Sequence, residues 1–236
     1  MSFENDPLGH LIHDYTAKRQ VSEIRVESDL CDDDIIPFDY LIRDYDSMPD
    51  LEKKALSLVK GKVLDIGAGF GPHAIYLKEK GFELQAIDTS AGSVDYLQSL
   101  NIDAHCIDIL SFNRGGFDTL LLLMNGIGIA GTLNQLTSFL AHLKTLLSKD
   151  GFILCESTDI SYLYEEEDGS KWVDVNAAYE GEMNFRMHYK ESKTDWFPWL
   201  YVDFNTLKQK SSELDLNCEL IFKGETNNYL AKISHK

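Results

Sequence analysis

Short apolar runs alternate with longer amphipathic stretches from Lys62 to Ser157. Val63–Ile66 is a compact apolar run of strand length that stops at a cluster of glycines. Pro72–Lys80 carries Ala74, Ile75 and Leu77 at helical spacing and closes at Gly81, a residue type that ends helices. Phe82–Ile87 reads as a second strand, and Ser90 as the N-cap of a helix reaching Leu97. Ile102–Ile107 and Phe117–Met124 read as the third and fourth strands. Thr132 opens an amphipathic helix with Leu136, Phe139, Leu140 and Leu143 on one face, expected to stop at Asp150-Gly151. Phe152–Cys155 is then the fifth strand. Parallel strands are joined by right-handed helical crossovers, so this order predicts a doubly wound α/β domain with helices on both faces of the sheet.

The flanks depart from that rhythm. Residues 1–60 predict a helical lid segment, with helices near Leu8–Lys18 and Leu51–Lys60 around an acidic, solvated stretch from Asp29 to Asp34. Residues 61–157 form the α/β core. Residues 158–200 form an aromatic-rich insertion after the fifth strand, with Glu165–Gly169 as a turn and all three tryptophans, Trp172, Trp196 and Trp199. Residues 201–236 predict a helix near Phe204–Leu214 and two strand-like runs, Cys218–Phe222 and Tyr229–Ile233, joined by a loop at Lys223–Asn228. That antiparallel hairpin completes a mostly parallel sheet of seven strands. No internal repeat is visible.

Composition narrows the partners. The 236 residues are 44% hydrophobic, enough for a substantial core. Twenty-two basic against 39 acidic residues give a net charge of −17, a field that repels nucleic-acid backbones and anionic lipid. A small-molecule partner is expected, with no nucleic acid and no membrane. Cys31, Cys106, Cys155 and Cys218 form no C-x-x-C pair, so neither a zinc cluster nor a secreted disulfide scaffold is indicated. Cys106 and Cys155 lie in apolar runs and are expected to be buried thiols. The N-terminus lacks the basic and apolar regions of a signal peptide, and the longest apolar run, Leu120–Met124, is too short to span a bilayer. A cytoplasmic location is expected.

The sharpest local signal is Asp65-Ile66-Gly67-Ala68-Gly69-Phe70-Gly71, placed between a strand and a helix. Glycines there let backbone turn tightly and let a ligand approach closely, and strand carboxyl ends are where open parallel sheets bind ligands. The second strand ends at Asp88, whose carboxylate can accept hydrogen bonds from both hydroxyls of a ribose. The dinucleotide fingerprint G-x-G-x-x-G fails because position 72 is proline. Asp65 would sit awkwardly beside a pyrophosphate but suits a cationic amino-acid group.

These residues resemble the S-adenosylmethionine-dependent methyltransferases with the seven-strand, Rossmann-like fold. Val63–Gly71 is similar to that family's first motif, and Ala86-Ile87-Asp88 to its second. The resemblance implies S-adenosyl-L-methionine as cofactor. Asp65 with Gly67, Ala68, Gly69 and Gly71 would hold the methionine portion, and Asp88, followed by Thr89, the ribose. His105–Ile109 resembles the adenine-contacting segment, so Asp108 would meet the exocyclic amine and Ile109 the ring. Phe117–Gly126 resembles the fourth motif, putting Met124 and Asn125 beside the transferred methyl. Leu147–Cys155 is similar to the stretch leading into the fifth strand. The likeness spans about residues 60–157, with the terminal hairpin resembling strands six and seven.

Methyl transfer from a sulfonium is an in-line displacement whose leaving group is built into the cofactor, so positioning does most of the work and no residue is assigned as catalytic. Met124-Asn125-Gly126-Ile127 lacks the D/N-P-P-Y/F of members that methylate DNA adenine or glutamine, and no carboxylate cluster follows the fourth strand, so no metal is expected. A small acceptor remains. The insertion's Tyr162, Tyr164, Tyr179, Phe185, Tyr189 and Phe197 either wall that acceptor or form one face of a strand. His188 and Arg186 are candidates for a base or an anion clamp. Tyr40, Arg43 and Tyr45 are candidates for reaching the cofactor carboxylate from the lid. His10 and Asp14 read as an exposed helical pair. The rival readings are a non-catalytic S-adenosylmethionine-binding or regulatory protein and, with Pro72 against it, a nicotinamide-dependent oxidoreductase.

Overall fold

The computed structural model describes residues 3–164 and 179–236; the expected turn at Glu165–Gly169 and Trp172 lie outside them. The chain runs through α1 (Pro7–Thr16), β1 (Ile24–Ser28), β2 (Asp34–Ile36), α2 (Phe38–Leu41), α3 (Asp50–Leu58), β3 (Lys62–Ile66), α4 (Pro72–Glu79), β4 (Glu83–Asp88), α5 (Ala91–Ser99) and β5 (Asp103–Cys106). It continues through β6 (Phe117–Leu122), α6 (Leu133–Leu146), β7 (Leu147–Thr158), β8 (Glu182–Tyr189), β9 (Ser192–Lys193), β10 (Phe197–Leu200), α7 (Phe204–Ser212), β11 (Leu216–Lys223) and β12 (Asn228–His235).

The main sheet has seven strands in the order β11-β12-β7-β6-β3-β4-β5. Its β5-β4-β3-β6-β7 portion is parallel, and β12 and β11 add antiparallel at the far edge. This is the expected doubly wound fold. Successive strand residues face opposite sides. Leu64, Leu120, Leu122 and Ile153 pack with α6 and α7, while Val63, Leu121, Phe152 and Leu154 pack beneath α3. By the same alternation Asp65 and Glu156 face the α3 side. The strand order reverses between β3 and β6, and the crevice outside their carboxyl ends is where such sheets take ligands.

A second, smaller antiparallel sheet, β10-β8-β1-β2 with β9 on β8, joins the N-terminal segment to the insertion. The reading of residues 1–60 as helices with an acidic loop is therefore incomplete: Ile24 and Val26 alternate with polar neighbours and pair with β2 and β8. That pairing is non-local, and its cue is only two apolar positions long. Trp199 of β10 seats the sheet on the turn after β6; a Cβ at Gly128 would fall 2.1 Å from its Nε1.

Helix α1 is fixed at both ends. His10 and Asp14 are buried, not the exposed pair expected. His10 hydrogen-bonds Ser192 at 2.7 Å, and Asp14 accepts from Tyr189, Lys190 and Arg19. Burial alone would push the Asp14 carboxyl up, but the Lys190 and Arg19 partners win and hold it at about 2. Two further expectations are corrected. Helix α6 stops at Leu146, and residues 148–151 form a bulge within β7, where Gly151 passes so close to the Phe117 carbonyl that a Cβ would lie 2.6 Å from its oxygen. Cys106 is exposed at the strand end, while Cys155 is buried.

Helix α1 crosses α5 where Gly9 meets Gly92; a Cβ on Gly92 would sit 2.4 Å from the Gly9 Cα. Gly92→Ala should therefore destabilise the protein by about 1–3 kcal/mol in urea denaturation, despite alanine's better helix propensity. Stability equal to or above wild type would show that the crossing tolerates a methyl group.

Candidate functional site

The loop between β3 and α4 is stitched to β4 through its backbone. Gly67 and Ala68 donate their N–H groups to the Ile87 carbonyl at 2.9 and 3.1 Å, and Gly69 donates to the Asp88 carboxylate at 2.8 Å. Gly69 and Gly71 have φ values of +55° and +74°, which L side chains rarely adopt. Pro72, the residue that breaks the dinucleotide pattern, occupies the first helical position of α4, where its missing N–H costs nothing. Asp88 also accepts from Ser90 N–H at 2.7 Å, and burial raises its carboxyl against the pull of those amides.

Asp65 lies at the root of this loop, 2% exposed, and its Oδ2 has no hydrogen-bond partner among the described residues. Burial, with Asp88 adding to it and His73 opposing, lifts its carboxyl to about 6. Around it the α3 side of the sheet holds a polar cluster. Glu52 of α3 takes Arg43 at 2.5 and 3.2 Å and the His73 ring at 2.7 Å. Burial opposes ionisation of Glu52, but His73 and Arg43 outweigh it and hold the carboxyl below its ordinary range. Arg43 spends its guanidinium on Glu52 and the Tyr40 carbonyl, and Tyr45 stacks on Tyr76, with centroids 4.3 Å apart.

Across the crevice, Met124 and Asn125 follow β6 with φ of +57° and +55°, two consecutive left-handed residues that are not glycine. Such conformations persist only where neighbours fix them. Glu156, near the end of β7, accepts the Met124 N–H at 2.7 Å and the Asn228 amide at 3.2 Å, and the Thr158 hydroxyl donates to the Asn125 side chain at 2.7 Å. Burial raises the Glu156 carboxyl, partly offset by Asn228 and the Met124 amide. The sequence reading missed Glu156; its cue is a carboxylate ending the apolar run Phe152–Cys155.

The remaining predicted residues take separate places. Thr89 lines a cavity of about 330 Å³ with Phe3, Asn5, Asp6, Ala91 and Gly92. Asp6, which the sequence reading also missed, accepts from the Ser90 hydroxyl at 3.0 Å and brings the start of α1 beside Asp88. Asp108 is exposed and caps a short turn through Leu110 N–H at 2.7 Å, while Ile109 is buried in the core. Arg186 and His188 face Glu27 on the small sheet, at 2.5 and 3.1 Å. Among the described residues no three or more His, Cys, Asp or Glu side chains are grouped to hold a metal ion, and no helix is long and apolar enough to cross a membrane.

A methyltransferase from Bacteroides fragilis, solved with S-adenosyl-L-homocysteine, is 40% identical, covers 100% of this chain and 97% of its own, and superposes with a TM-score of 0.92. The chain belongs to the S-adenosylmethionine-dependent methyltransferases. The family model described as Tellurite resistance protein TehB matches residues 37–114 of this methyltransferase. More distant structures share the fold. A methyltransferase from Clostridium acetobutylicum is 16% identical over 84% of this chain and 96% of its own (TM-score 0.58). CalS10, an amino pentose methyltransferase from Micromonospora echinaspora, is 11% identical over 81% and 93% (TM-score 0.56). No curated protein matches the methyltransferase.

Replacing Glu156 tests the hold on the strained pair. Glu156→Ala leaves the Met124 N–H without its acceptor and should cost about 1–3 kcal/mol in chemical denaturation. Glu156→Gln keeps a carbonyl oxygen in place and should cost less. Equal losses for the two variants would mean that the side chain matters for packing alone.

Proposed function

We propose that this methyltransferase carries a methyl group from S-adenosyl-L-methionine to a small-molecule acceptor at the crevice between β3 and β6. The observation that carries the reading is the unpartnered, buried Oδ2 of Asp65 at the root of the glycine loop, a site made for a cationic group. The donor set fits such a cofactor. Asp65 would hold the amino group of the methionine portion, the backbone of Gly67, Ala68, Gly69 and Gly71 would let it lie close, and Asp88 with Thr89 would take the ribose. Asp108 and Ile109 would border the adenine, and Met124 and Asn125 the acceptor side.

The bound cofactor supplies an activated methyl group with its leaving group attached. The protein's part is to align the nucleophile and keep water out, which lowers the barrier by several kcal/mol without a dedicated acid or base. The fixed Met124–Asn125 backbone gives the acceptor a rigid wall, and Ile129, whose Cδ1 lies 3.2 Å from where a Gly67 Cβ would be, closes the loop's open side. The acceptor is read as small because a net charge of −17 disfavours polyanions. Relatedness to methyltransferases over the full chain weighs against the non-catalytic alternative.

Two measurements test this reading. Calorimetric titration should give micromolar binding of S-adenosylmethionine and S-adenosylhomocysteine, weakened about ten- to a hundredfold in Asp88→Ala through loss of charged hydrogen bonds. Absence of binding by folded protein overturns the assignment, and release of S-adenosylhomocysteine with candidate acceptors separates turnover from binding alone. The second measurement uses pH. Asp65 ionises at about 6 in the folded chain against an ordinary 3.8, so ligand-free stability should fall as pH rises through that window. An ammonium ligand needs the ionised carboxylate, so affinity should instead rise through the same window and level off above it. Asp65→Asn should reduce the slope of both profiles, leaving the part that the raised Asp88 and Glu156 carboxyls contribute; an unchanged affinity profile would remove Asp65 from the site.

A further inference from the structure

At the amino end of β7, away from the glycine loop, the chain gathers positive charge. A cavity of about 500 Å³ is lined by Lys60, Lys149, Lys232 and Lys236 together with His235 and Ser234. Its floor is Phe152, nearly buried, with the Lys60 and Lys232 ammonium groups 5.1 and 4.7 Å from the ring centroid. Both are thus tethered to one aromatic ring, and their nitrogens lie within about 10 Å of each other. Lys60 also donates to the Asp150 carbonyl at 2.9 Å, which fixes its head at the rim. Among the described residues Lys60, Lys149 and Lys232 form no ion pair; Lys236 reaches Asp215 at 3.8 Å. Among the described residues lining the cavity, Asp150 contributes the side-chain carboxylate.

In a chain with 39 acidic and 22 basic residues, most of the surface can supply a lysine with an acidic neighbour. Among the described residues, three lysines that form no ion pair ring one concavity, where ammonium groups outnumber the side-chain carboxylates of the lining. The cause is visible in the fold. Helix α3 ends at Leu58, so Lys232 and Ser234, which share the face of Phe152, extend past its cover, and the bulge at residues 148–151 carries Lys149 to the same rim.

We infer that this cavity is a binding site for a small polyphosphate-bearing anion. One phosphate carries a charge of about −1.5 to −2 at neutral pH, too little for several ammonium groups, whereas a chain of two or three spans them. The lysine heads cover Phe152, so recognition is through charge and hydrogen bonding rather than stacking. The volume of about 500 Å³ suits a small molecule better than an acidic peptide. The inference is independent of the cofactor reading, because none of these residues belongs to that crevice.

Inorganic tripolyphosphate is the probe, titrated calorimetrically into the full chain with and without S-adenosylhomocysteine. One site is expected, tighter for tripolyphosphate than for monophosphate or sulfate, weakened by salt and unaffected by S-adenosylhomocysteine. The Lys149→Gln/Lys232→Gln double variant should lose at least about tenfold in affinity, and the Lys149→Arg/Lys232→Arg double variant should largely retain it. Lys80→Gln, on α4's far end, should change nothing; its thermal melting and that of the double variants checks folding. The proposal is overturned by no binding to wild type, by equal losses for Lys80→Gln and the double variant, or by displacement with S-adenosylhomocysteine. A hexaglutamate peptide that binds more tightly than tripolyphosphate would replace the small-anion assignment with a protein partner.

Discussion

The hydrogen bond from the Gly69 amide to the Asp88 carboxylate holds together the parts of the molecule that face the crevice. With the Gly67 and Ala68 amides on the Ile87 carbonyl, it pins the loop to the neighbouring strand. The Ser93 hydroxyl donates to the Gly69 carbonyl from α5, and Leu8 of α1 lies over Gly69. A loop tied at this many points is pre-organised, so a ligand resting on it does not have to order it first. Asp88 thereby braces the loop with one oxygen and the start of α5 with the other.

The same face of the sheet carries an expensive set of buried charges. Glu52 is compensated by Arg43 and His73, and the three bind the N-terminal segment to α3 and α4. Asp65 has no such compensation, and its raised carboxyl is the physical mark of that deficit. Glu156 lies between these cases: its amide partners satisfy both oxygens while burial still disfavours its charge. All three carboxylates lie on the α3 side of the sheet, and buried carboxyls with displaced pKa values are common at sites of function.

The small sheet shows how distant segments are recruited to that crevice. β1 comes from before the core and β8 and β10 from after it, yet they pair along most of their lengths. Asp14 of α1 draws Tyr189 and Lys190 of the insertion onto the N-terminal helix, and Trp199 fills the space left by Gly128. The two flanks thus form one structure over the turn that follows β6.

The order of the core strands, the glycine loop and the acid ending β4 were legible in the chain, because each rests on local rules: apolar period, cap chemistry and the conformational freedom of glycine. Asp65 and Asp88 were legible for the same reason, being fixed relative to that loop by a few residues of backbone. Glu156, Glu52 and Asp6 were not. Glu52 sits in Leu51-Glu52-Lys53-Lys54, which reads as a solvated turn of helix, and only the approach of Arg43 and His73 makes it a buried partner. The burial of His10 and Asp14 and the exposure of Cys106 were decided in the same way. Sequence specifies what a residue can do within a few neighbours of itself; which distant group removes its water is set by tertiary packing, and that desolvation determines charge, strain and chemistry here.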